Sequence, residues 1–178
     1  MPHLPRIREF LKRRQSLFLN GLFFIAVFVA VSAFQARNML PARGVAAPAL
    51  SGPLLSGGNY DITTSEARPK LVYFFAPWCT ICALTSDNLT RLRRLRDEES
   101  LDILAVALDW QDVEEVRDYV DRHEIDLPVV LGDRRIGQTW QVYAFPTYYV
   151  LDSDRRIRRR DLGYSSQFGL WWRTWFVD

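Results

Sequence analysis

The whole thiol content of this 178-residue chain is Cys79 and Cys82, separated by two residues in the run Ala76-Pro77-Trp78-Cys79-Thr80-Ile81-Cys82. Two sulfurs at that spacing close a small disulfide without distorting the fold. If the first opens a helix, backbone N–H groups and the macrodipole stabilise its thiolate and lower its pKa. That supplies a nucleophile at neutral pH, and the second thiol, one turn in, resolves the mixed disulfide. Cys79 is the candidate nucleophile, Cys82 the candidate resolving group, and Trp78 a candidate part of the substrate platform. Neither Thr80 nor Ile81 is charged, so the intervening pair offers the thiolate no cation, only the Thr80 hydroxyl as a donor. Other chemistries use the same atoms. A structural disulfide would close a very short loop, where the entropic benefit is smallest. Zinc needs four ligands, and the domain adds only His123, since His3 precedes the apolar run described below. Copper(I) accepts two thiolates, so a carrier role stands beside the redox one, with little His or Met near the motif to favour it.

Such a pair must be held at a strand-to-helix switch, and the flanking pattern supplies one. Residues 70–75, Lys-Leu-Val-Tyr-Phe-Phe, read as a strand buried on both faces. After Cys79 the spacing predicts a helix with Ile81, Leu84, Leu89, Leu92 and Leu95 near one face and Arg91, Arg93, Arg94 and Arg96 elsewhere. A second buried strand is expected over 101–108, an acid-led helix over 112–123 and a short strand over 129–131. A short helix over 135–141 follows, then a hairpin of 147–151 and 156–162 about Asp152-Ser153-Asp154, and a last helix capped by Ser165 or Ser166. This order gives an α/β sandwich with a central mixed sheet.

The amino-terminal third is of another kind. Residues 15–36 carry no charge and are dense in Phe, Ile, Val, Leu and Ala, while Arg6, Arg8, Lys12, Arg13 and Arg14 precede them. Roughly 20 apolar residues span the hydrocarbon layer, and the basic cluster favours a cytoplasmic amino terminus. The reading is a basic cytoplasmic segment over 1–14, a transmembrane anchor over 15–36 and a Pro/Gly/Ala-rich linker over 37–58, with its last part, 48–58, open to a place on the domain surface. The domain over 59–178 then lies outside the cytoplasm. A cleaved signal peptide is the rival reading and leads to the same compartment. Apolar residues are 48% and charged residues 25% of the chain, as expected for a protein with a real core. The net charge of +2 belongs to the tail; beyond Arg43 the chain is acidic by about four charges. That excludes a basic nucleic-acid-binding surface as the working feature.

The run Phe74-Phe75-Ala76-Pro77-Trp78-Cys79-Thr80-Ile81-Cys82 resembles the active site of the thioredoxin superfamily, F-[WFY]-A-x-W-C-x-x-C. Phe145-Pro146-Thr147, opening a strand, resembles that superfamily's cis-proline loop. The resemblance covers about Asn59 to Val177 and implies a thioredoxin-like sandwich with a cis Pro146 facing the dithiol. It also implies that the Phe145 backbone is open to an incoming substrate strand. The anchor, the linker and the added segment between Leu101 and Leu131 look like the TlpA/ResA-type periplasmic reductases. The ending Gly163-Tyr164-Ser165-Ser166-Gln167-Phe168-Gly169-Leu170-Trp171-Trp172 is similar to the ScsD-like branch, the suppressor-of-copper-sensitivity proteins of Gram-negative bacteria.

That likeness implies a protein-disulfide oxidoreductase without a cofactor. Its expected partners are disulfide-bearing proteins and an integral-membrane electron donor of the DsbD/ScsB-like kind. A net oxidase or isomerase would use the same residues at another potential. The chain departs from the family at two positions: thioredoxin's buried acid is replaced by Tyr73, and the glutamate of TlpA/ResA-type proteins by Thr85. Those acids move the proton of the buried thiol; Asp109, and after it Asp87, are the candidates to substitute. Residues 155–160, rich in Arg, read as a charged edge strand that discourages aggregation.

Overall fold

The computed structural model describes residues 18–27, 30–31, 37–97, 99–175 and 177. It divides into a unit up to Arg37 and a second unit, Asn38–Asp178. In the first, residues 18–27 and 30–31 are helical and exposed; the rest of the expected anchor, and all of residues 1–14, lie outside the described residues. Among the described residues, no helix is long and apolar enough to cross a membrane.

The second unit holds β1 (Val45–Ala46), β2 (Ser51–Pro53), β3 (Asn59–Asp61), β4 (Lys70–Phe75), α1 (Thr80–Leu95), β5 (Asp102–Ala107) and α2 (Val113–Arg122). These are followed by β6 (Val129–Leu131), α3 (Arg134–Thr139), β7 (Thr147–Leu151), β8 (Arg156–Leu162) and α4 (Gln167–Trp175). Six strands form one mixed sheet in the order β1-β8-β7-β4-β5-β6. The β4-β5-β6 half is parallel, and β7, β8 and β1 join antiparallel. The expected α/β sandwich is therefore present, with the predicted strands within a residue of their places.

Strand β4 is central and buried at all six positions. Its side chains alternate: Leu71, Tyr73 and Phe75 enter the core that contains both cysteines, while Val72 and Phe74 enter the opposite one. Helix starts follow their caps. Asp112 accepts from the Glu115 amide, Asp133 from that of Ile136, and Ser166, of the two expected serines, from that of Gly169.

Three expectations are corrected. Residues 37–58 are not a free linker: β1 pairs with β8, β2 pairs with β3, and Met39 and Leu50 are buried in the second core. That face of the sheet has few helices of its own, and this apolar segment covers it. Strand β8 is consequently not the bare edge. Arg160 donates to the carbonyls of Met39 and Leu40, and Arg156 to that of Gly44. On α1, Ile81, Leu84 and Leu95 are exposed; the buried face is Cys82, Thr85, Ser86, Asn88, Leu89 and Leu92. Its short polar residues are buried with their hydrogen bonds satisfied: Thr85 and Ser86 bond carbonyls of α1 itself, and Ser86 and Asn88 also meet Tyr119 and Ser165 of other elements.

Arg160→Ala removes two charge-assisted bonds to the 38–46 segment. It is expected to lower the unfolding free energy by about 1–3 kcal/mol, read as a lower urea midpoint at unchanged slope. An unchanged midpoint would show that the segment is held without Arg160.

Candidate active site

Strand β4 ends at Phe75, the chain turns through Ala76-Pro77-Trp78 with the Cys79 amide on the Ala76 carbonyl, and α1 begins. Cys79 is the N-cap of α1, and its Sγ accepts from the Cys82 amide at 3.1 Å. A hydrogen bond from the helix amide to that sulfur favours its charged form when the pair is reduced. The two cysteines are joined in a disulfide with Cα atoms 5.2 Å apart. Cys79 retains 6% exposure and Cys82 none, so an incoming disulfide meets Cys79.

Around the pair the structure gathers residues from four loops. Trp78 is exposed and meets the Phe145 ring edge to face at 5.7 Å. The Phe145–Pro146 peptide is cis. Thr147 begins β7 with its hydroxyl on the Ala144 carbonyl. Thr80 and Ile81 are exposed. Beside Phe145 a cleft of about 600 Å³ opens, lined among others by Asp109, Trp110, Arg134 and Tyr143. Among the described residues no group of three or more His, Cys, Asp or Glu is gathered to hold a metal; His123 lies against Tyr119 at 4.6 Å.

Asp109, expected as a substitute for the absent acids, lies beside Trp78. Its carbonyl and its carboxylate both accept from the Trp78 indole N–H, at 3.2 and 3.1 Å, and its backbone is left-handed at φ 53°. The carboxylate thus helps to fix the Trp78 ring. Asp87 points outward from α1. Behind Cys82 lie side chains that the sequence did not single out as a group: Tyr73 donates to the Cys82 carbonyl, and Ser86 joins that oxygen to Tyr119. The i+4 spacing of Ser86 from Cys82 was the available signal; Tyr119 is too distant in sequence to have given one.

Burial pushes the Tyr73 phenol well above its ordinary range, and facing Tyr119 and Tyr148 push it the same way. Burial also raises Tyr119 and Tyr148. Among the described residues the Tyr148 hydroxyl has no hydrogen-bond partner, although the Thr85 hydroxyl, committed to the Ile81 carbonyl, lies near enough to offset part of its rise. On the other face burial lifts Tyr149 to about 12.

The family model for AhpC/TSA matches residues 44–160, the greater part of the chain. The chain belongs to the AhpC/TSA family. Within the wider set of relatives, a thioredoxin-like protein of Haemophilus influenzae is 27% identical over 176 residues, 97% of this chain and 98% of that one. Thioredoxin-like protein YneN of Bacillus subtilis is 26% identical over 125 residues, 68% of this chain and 72% of the other. The crystal structure of a thiol:disulfide interchange protein of the thioredoxin family from Chlorobium tepidum matches in fold with a TM-score of 0.68. It is 19% identical and covers 78% of this chain and 99% of its own. The AhpC/TSA member described here thus carries a thioredoxin-like fold with its dithiol at the β4–α1 junction.

Two predictions follow from the electrostatics. Asp109→Asn keeps an oxygen for the indole and a residue tolerant of left-handed backbone. It should hold the rate of insulin-disulfide reduction within about twofold, whereas loss of a proton relay would cost about a hundredfold. For the buried tyrosines, a folded pKa raised above the unfolded value of about 10 means stability present below pH 10 and lost as pH climbs towards the folded values. Denaturation at pH 8 and pH 11 should show the fall; equal stability at both would contradict the burial of these phenols.

Proposed function

We propose that this thioredoxin-like thiol–disulfide oxidoreductase works as a specific disulfide reductase outside the cytoplasm. In this reading residues 15–36 anchor it in the inner membrane, with residues 1–14 in the cytoplasm and the catalytic domain in the periplasm. The observation that carries the chemistry is the Cys79 sulfur at the helix start, on the Cys82 amide and the more exposed of the pair.

The cycle uses only this chain's sulfurs. The Cys79 thiolate attacks one sulfur of a substrate disulfide; that bond breaks, and the other substrate sulfur leaves with the electron pair. Cys82 loses its proton, attacks the Cys79 sulfur and expels the second substrate thiolate. Two electrons have passed to the substrate, and the Cys79–Cys82 disulfide has re-formed. Trp78 and Phe145 flank the path of the incoming chain, and Asp109 fixes the Trp78 ring.

Recharging needs a second dithiol, which a DsbD/ScsB-like donor in the same membrane would present; anchoring keeps the domain within its reach. The likeness of Gly163–Trp172 to the ScsD-like branch favours substrates linked to copper stress, with apocytochrome c maturation as the neighbouring task of TlpA/ResA-type proteins.

Thiol trapping in intact cells should find Cys79 and Cys82 mostly reduced while the donor is active, and oxidised once it is deleted. A pair that stays oxidised beside an active donor would make the enzyme a net oxidant. Cys82→Ser should accumulate mixed disulfides through Cys79. Absence of any, together with copurification of copper at one ion per chain, would replace the redox reading with a carrier.

A further inference from the structure

The hydroxyl cluster behind Cys82 is unused by the cycle just described. Tyr73 reaches from β4 beneath α1 and donates to the Cys82 carbonyl oxygen at 3.2 Å. Ser86 donates to the same oxygen at 2.9 Å, and its hydroxyl lies 3.3 Å from that of Tyr119 on α2. Cys82, Tyr73, Ser86 and Tyr119 are each at most 2% exposed. Aromatic packing fixes the hydroxyls in turn: Tyr73 stacks on Phe75 at 5.6 Å and leans on Tyr148 at 5.3 Å, and Phe75 stacks on Tyr119 at 5.0 Å.

A buried polar cluster that served stability alone would need only to satisfy its own members. This one converges on a single acceptor. As a residue inside α1, Cys82 is already supplied with a helical partner for its carbonyl; the Ser86 hydroxyl adds the local i→i−4 back-bond of a helical serine, and Tyr73 is the donor that reaches this oxygen from another element. The acceptor belongs to the residue whose sulfur must change partner in every turnover. The groups facing the cluster are hydroxyls, with the His123 ring on Tyr119. On the Tyr148 side the charges are Asp161 and Arg173, paired with each other at 2.8 Å.

We propose that Tyr73, backed by Ser86 and Tyr119, is the positioning residue of the resolving step, holding Cys82 by its main-chain oxygen while its sulfur moves onto Cys79. The inference rests on the disulfide-exchange reading above. In the step itself the Cys82 thiol gives its proton to water or to the departing thiolate. The Cys82–Cys79 bond forms, the Cys79–substrate bond breaks, and the substrate sulfur leaves with the electron pair. Tyr73 gains and loses no proton.

Oxidised glutathione separates the two half-steps, because attack leaves one glutathione on Cys79 and resolution releases it. The reduced full-length chain is mixed with oxidised glutathione, acid-quenched, and its glutathionylated form followed by mass over pH 6–9; attack alone is timed in the Cys82→Ser background. Tyr73→Phe deletes one oxygen and keeps the ring stack. It should slow resolution by about five- to tenfold and leave attack within about twofold of wild type, as expected for loss of one buried hydrogen bond. Ser86→Ala, the second variant, should act on the same step in the same direction.

Resolution at the wild-type rate in both variants overturns the proposal, as does equal slowing of attack and resolution, which would mark a merely structural role. A shift in the pH midpoint of resolution in Tyr73→Phe would make the phenol a proton acceptor and overturn it too. Failure of the wild-type chain to exchange with glutathione at all would instead sink the oxidoreductase reading itself.

Discussion

The Cys79 sulfur is held 3.1 Å from the Cys82 amide, at the first turn of a helix that begins where a fully buried strand ends. Helix N-termini carry amides that lack internal partners, and here one of them is turned onto a sulfur. The position works only while the end of β4 and the start of α1 stay in register. Burial on both faces fixes β4: aromatic rings from it and from its neighbours pack above and below, Tyr73 with Tyr148 on one face and Phe74 with Trp140 and Tyr149 on the other. At the far end of the strand, Lys70 is buried and paired with Asp102 at 2.9 Å, while also donating to the Glu66 carbonyl. A buried charge left alone is costly, so this pair ties the starts of β4 and β5 together.

The second face of the sheet shows how the site depends on residues far from it. The segment from Asn38 to Asp61 covers that face, and its backbone is caught by side chains of the opposite edge. Arg160 holds the carbonyls of Met39 and Leu40, and the Tyr149 hydroxyl accepts from the Leu40 amide while donating to the Trp140 carbonyl. Trp140 in turn donates to the Ala49 carbonyl. Removing this cover would leave β4 with one wet face, and a strand buried on one side would not fix the cysteine turn as firmly.

Much of this was legible in the sequence, and the parts that were not share a physical cause. The strand over 70–75, the hairpin of 147–151 and 156–162, and the dithiol at a helix start were readable because each is encoded by neighbours in the chain. The cover over 38–58 was read as a linker because its Pro, Gly and Ala content is that of one. Its burial depends on Arg156 and Arg160, more than 110 residues on, as the separations of 112, 120 and 121 in its hydrogen bonds record. The helix face was misread for a related reason. Hydrophobicity ranks Ile81, Leu84 and Leu95 above Thr85 and Ser86, but partners on other elements decide which face a helix can bury. Asp109 is legible by charge alone, whereas its contact with the Trp78 indole, 31 residues away, is not.

Tyr73 and Thr85 stand where thioredoxin and the TlpA/ResA-type proteins that the sequence resembles carry acids, and the difference has a simple energetic reading. A carboxylate beneath Cys82 would be buried among Phe75, Tyr119 and Tyr148, and an ionised carboxylate without a cation there would be driven to take up a proton. A phenol in the same place needs only a hydrogen-bond acceptor, and the Cys82 carbonyl supplies one. Burial makes the phenol harder to ionise, so its charge state is the same throughout the pH range in which thiols work. An acid behind the resolving thiol couples the thiol's proton to its own, so that both titrate as a pair. A tyrosine uncouples them. In the proposed cycle the Cys82 sulfur would then exchange its proton with solvent or the departing thiolate, and the phenol beneath it would supply only position.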